Sequence, residues 1–150
     1  MSDYVRFSPK NKGGNVSFMI LGWFRKKPAP LIGRPAVRRQ KTYSAQTGYV
    51  YQYFYEGYRA SSSERGTEYV FDVSADRKTS APTSVLVSDA AVESWQNQAG
   101  RMLSGTEKYA VAKMALFQAL DERQTPEAMG DPVRVRPADI QAILATLNID

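Results

Sequence analysis

The chain contains no cysteine and no histidine. The first absence removes disulfides, zinc–thiolate sites, iron–sulfur clusters and thiol catalysis from its 150 residues. The second removes the commonest protein metal ligand and the usual general base at neutral pH. Long apolar runs are missing too. The run at residues 16–24 (VSFMILGWF) has nine residues, where a membrane-spanning helix needs about 20, so no transmembrane segment is expected. Arg25, Lys26 and Lys27 follow it directly, where a signal peptide would place small residues around a cleavage site. Acids are scarce at the front: among the first 41 residues only Asp3 is acidic.

Set against that scarcity are ten Lys or Arg within residues 1–41, a local net charge of +9. Residues 42–150 carry ten basic and fourteen acidic side chains, a net of −4, which together give the overall +5. This segregation predicts a basic N-terminal arm over 1–41 and one mildly acidic domain over 42–150. Residues 1–15 are polar, contain a Gly-Gly pair and read as lacking fixed structure. Residues 25–41 (RKKPAPLIGRPAVRRQK) hold seven basic side chains, three prolines and no acid. Proline fixes φ and removes an amide donor, so an extended path is expected there. The apolar run before it is compatible with three placements. It is a buried strand or short helix of the domain, an interfacial membrane contact through 16–27 with Trp23 and Phe24 beside the basic cluster, or a surface docked on a partner. Met19 offers an alternative start.

The domain reads as α+β. Residues 49–59 (YVYQYFYEGYR) are rich in strand-favouring aromatics, and 67–74 (TEYVFDVS) alternate with period two. A hairpin between them sets Tyr55 opposite Phe71, Tyr53 opposite Val73 and Gly57 opposite Tyr69. A third strand is expected at 83–87, completing a three-stranded antiparallel meander, with residues 131–136 as a further short edge piece. Three helices follow in the pattern. One is capped by Ser88 and stops before Gly100; a second starts at the Ser104/Glu107 capping-box spacing; a third covers 138–147 with Ile140, Ile143, Leu144 and Leu147 on one face.

Chemical motifs are sparse. Gly100 and Gly105 have P-loop spacing, but Thr106 stands where the phosphate-binding lysine is required. The segment therefore reads as an inter-helix turn. Glu56, Glu68 and Asp72 fall on one sheet face with Arg59 nearby. A solvated polar face is expected there rather than an acid–base pair. No catalytic residue, metal site or cofactor is assigned. Tyr49, Tyr51, Tyr53 and Tyr55 share one strand face, with Tyr58 on the other. They form either the sheet side of the core or a stacking platform for single-stranded nucleic acid, and Phe71, Val73, Val85 and Val87 beside them favour the core. The opposite face (Val50, Gln52, Phe54, Val70, Leu86) needs partial cover, from the arm or a second protomer.

The functional expectation is a cytoplasmic, non-enzymatic accessory protein, peripheral to a large complex or a membrane. Its arm docks onto a larger acidic protein assembly through Trp23, Phe24, Arg25, Lys26, Lys27, Arg34, Arg38, Arg39 and Lys41. The alternative is nucleic-acid binding, with the same cations on phosphates.

Overall fold

A computed structural model describes residues 28–150. Five strands form one mixed sheet in sequence order: β1 (Lys41–Ser44), β2 (Val50–Ala60), β3 (Gly66–Ser74), β4 (Ala81–Ser88) and β5 (Val133–Val135). The first four are antiparallel neighbours, and β5 runs parallel to β4. A parallel neighbour requires a long crossover. Here it is made by α1 (Asp89–Ala99), α2 (Gly105–Glu122) and a 3-10 turn (Pro126–Gly130), and α3 (Pro137–Thr146) follows β5.

The α+β architecture is thus present, but with five strands among the described residues instead of three. The unforeseen strand β1 is only KTYS, too short and polar to show a period. The edge piece at 131–136 contracts to β5, whose Val85↔Val133 and Val87↔Val135 pairs carry the buried face of the sheet outward.

Capping chemistry sets the helix starts. Ser88 Oγ accepts from the Ala91 amide, and Ser104 with Glu107 forms a reciprocal capping box. Gly100 closes α1 in the left-handed conformation, so the glycines with P-loop spacing flank an inter-helix turn. Inward-facing Tyr51, Phe71, Val85 and Val135 meet Val111, Leu116, Leu120, Ile140, Ile143 and Leu144 of the helices, all fully buried. Tyr43 stacks on Phe117 with centroids 4.2 Å apart, and Tyr53 meets Phe71 and Phe117 edge-on.

The β2–β3 register holds Tyr53↔Val73 and Tyr55↔Phe71, then slips. Glu56 is the extra residue of a bulge, so Gly57 opposes Val70, and Tyr58, not Gly57, opposes Tyr69. Gly57 sits at φ +121°, and a Cβ there would lie 2.6 Å from the Ile32 carbonyl oxygen. Its bare backbone admits the chain before β1. The Ile32 amide donates to the Tyr58 carbonyl (2.8 Å), and the Tyr58 amide donates to the Ile32 carbonyl (2.9 Å). Residues 28–40 contain no helix, in keeping with Pro28, Pro30 and Pro35. They form a strap bonded to the sheet at Ile32.

Candidate functional site

The strap brings two guanidinium groups to the bulge. Arg34 Nε donates to the Glu56 carbonyl (3.1 Å). Arg38 grips the Glu56 carboxylate with Nε (3.1 Å) and Nη2 (3.0 Å), and Nη2 also reaches Asp72 Oδ2 at 3.1 Å. Its guanidinium carbon lies 3.6 Å from the centre of the Phe54 ring. Arg38 therefore covers part of the outer sheet face, and the cover comes from the chain itself. On the same face Arg59 Nε bonds Glu68 (2.7 Å), whose other oxygen accepts from Ser84 Oγ, and Ser80 Oγ donates to Asp72 (2.9 Å).

Glu56, Glu68 and Asp72 do share a face, each with a cation in reach. The Arg38 hydrogen bond holds the Glu56 carboxyl below its ordinary range, against burial. Burial works against the Glu68 carboxylate, but the hydrogen bonds from Arg59 and Ser84 outweigh it and lower that group too. An acid catalyst at neutral pH needs its carboxyl raised. Here the two glutamates are driven the other way. Among the described residues no group of three or more Asp or Glu side chains is placed to share a metal ion.

The nine residues expected to contact a partner separate into three sets. Trp23, Phe24, Arg25, Lys26 and Lys27 lie outside the described residues, as do residues 1–15, the apolar run 16–24 and the membrane contact read from 16–27. Arg34 and Arg38 are engaged by the domain's own carbonyl and carboxylates. Arg39 and Lys41 are exposed at the root of β1. Burial first, then the Lys41 charge, lowers the pKa of Lys113 on α2. Residues 28–150 hold fourteen basic and fourteen acidic side chains, so the entire net charge of +5 belongs to residues 1–27.

Three of the four tyrosines of the row pack beneath the helices, and Tyr49, just before β2, is exposed. Tyr51 and Tyr53 are buried and Tyr55 is partly buried against the core. A stacking platform for nucleic acid is therefore not available on that face. The bulge also corrects the placement of Tyr58: it joins Tyr69 on the inner side, their ring centroids 5.8 Å apart. Tyr55, Tyr58, Tyr69 and Tyr109 consequently line one cleft, a constellation missed from sequence. Gly57 inside a strand pattern was the signal that marks such a bulge.

No described helix is long and apolar enough to cross a membrane. No protein-family model, curated protein or solved structure matches the chain.

Proposed function

We propose that the chain is a non-enzymatic accessory protein whose cationic N-terminal segment docks onto a larger, acidic protein assembly. One observation carries this reading. The charges of residues 28–150 balance, and the strap cation Arg38 is paired internally, so the unbalanced positive charge is concentrated in residues 1–27. Six Lys or Arg stand there against Asp3 alone. A neutral body carrying a short basic segment attracts acidic surfaces through that segment and steers encounters with it. Arg39 and Lys41 add exposed cations at the root of β1, while Arg34 and Arg38 bond the Glu56 carbonyl and the Glu56 and Asp72 carboxylates.

The test is affinity purification from the native host at low and high salt, with and without nuclease. A defined protein partner that survives nuclease and is released by salt supports the reading. Capture that disappears with nuclease replaces it with nucleic-acid binding, and capture that ignores salt removes its electrostatic basis.

A further inference from the structure

We propose that the cleft where Tyr55, Tyr58, Tyr69 and Tyr109 converge on the first turn of α2 binds a small planar aromatic molecule bearing an anionic group such as a carboxylate. Its lining residues all fall within 55–109 of the sequence, and none of them enters the docking proposal. The cleft is half open to solvent and offers about 390 Å³, within the range of roughly 300–1,000 Å³ typical of small-molecule sites. Its walls are aromatic. Tyr55 and Tyr109 lie 4.7 Å apart at 56°, and Tyr58 and Tyr69 lie 5.8 Å apart at 42°. Tyr69 is buried, Tyr55 and Tyr109 are partly buried, and Tyr58 is exposed at the rim, so a flat guest would meet the walls by offset or edge-to-face contact.

The polar groups select the rest of the ligand. Thr67, Gly105, Thr106 and Lys108 complete the lining, which includes no carboxylate. The Gly105 and Thr106 amides are first-turn donors with no carbonyl partner inside the helix. The Ser104 hydroxyl takes the Glu107 amide instead (3.1 Å). Lys108 forms no salt bridge among the described residues. Asp89 and Glu93 border a neighbouring hollow, which Lys108 also lines. Glu107, the acid next to it in sequence, is drawn away by two Arg101 contacts of 3.0 Å and by the Ser104 amide.

The phenols are donors as well. Burial raises the pKa of Tyr55 and Tyr109 and carries Tyr69 to about 12, so these three groups keep their protons at neutral pH. The cleft thus offers aromatic walls, hydroxyl donors and one ammonium to a guest of opposite charge.

The test is a titration of the isotope-labelled full chain with 1-naphthoate and with its neutral counterpart 1-naphthalenemethanol, followed by amide NMR at fixed ionic strength. Saturable shifts centred on Thr67, Gly105, Thr106 and Tyr109 are expected with naphthoate. Lys108→Gln should weaken that binding by about tenfold, the loss of one charge-assisted hydrogen bond, while leaving the alcohol's weaker binding unchanged. Lys108 is a partly exposed side chain, so this variant retains the fold, which its undisturbed spectrum verifies. Shifts that spread elsewhere, equal affinity for acid and alcohol, or naphthoate binding indifferent to Lys108→Gln would each overturn the proposal.

Discussion

The strap makes the body electrically self-contained, and Gly57→Ala tests its seating. Two penalties add at this position. The backbone at φ +121° lies where a non-glycine residue costs about 1–3 kcal/mol. The new Cβ would also stand 2.6 Å from the Ile32 carbonyl oxygen, forcing the strap off β2. That loses two backbone hydrogen bonds of 2.8 and 2.9 Å, together worth about 2 kcal/mol net. Gly48→Ala supplies the control, since Gly48 has φ +98° and a methyl group added there would meet nothing within 4 Å. It carries the conformational penalty alone. Urea unfolding should therefore show Gly57→Ala destabilised by roughly 3–5 kcal/mol and Gly48→Ala by roughly 1–3. Hydrogen exchange at the Tyr58 amide should accelerate only in the former. Equal destabilisation, with Tyr58 still protected, would refute the strap as described.

Two further predictions concern polar groups at the core and on the outer face. The Tyr51 hydroxyl is buried without a hydrogen-bond partner, so Tyr51→Phe should raise stability by about 1 kcal/mol. Tyr43→Phe should lower it by a similar amount, because it removes a 2.7 Å bond to Asp121; denaturant midpoints compare the pair. Acid sensitivity follows from the carboxyls whose pKa values are lowered. Glu56 and Glu68 are held below the usual carboxylate range, and Asp76 and Glu107 fall to about 2. A lowered folded-state pKa gives stability that is complete above the unfolded value and is lost as protons bind below it. Thermal midpoints should hold steady above about pH 5 and fall progressively toward pH 2. Arg38→Gln should flatten the Glu56 part of that fall, and an acid profile unchanged by this substitution would contradict the pairing.

Local patterns carried much of the fold. The alternation in 67–74 and the tyrosine spacing in 49–59 fixed Tyr53↔Val73 and Tyr55↔Phe71, because a one-residue slip would turn the aromatic rows to water. Ser88, Gly100 and the Ser104/Glu107 box act within a turn of where they stand, so the helix ends were readable. The failures came where distant segments meet. Nothing local in KTYS reveals that β1 will lie along residues 50–53. The parallel pairing of β5 depends on a crossover that runs through two helices. Arg38 lies 18 residues from Glu56 and 34 from Asp72 in sequence, so a count of charges registered a cation where the fold makes a clasp. The tyrosine cleft was hidden for the same reason, since one bulge residue decides which side Tyr58 takes.

The docking proposal assigns Arg38 to the fold and the unbalanced cations of residues 1–27 to the partner. The most direct measurement captures partners with three full-length proteins in parallel: wild type, Arg38→Gln, and the triple variant Arg25→Glu, Lys26→Glu, Lys27→Glu. Wild type and Arg38→Gln should recover the same protein partner after nuclease treatment, and the triple variant should lose it. Retention by the triple variant, or loss with Arg38→Gln while its fold is intact, would contradict the proposal.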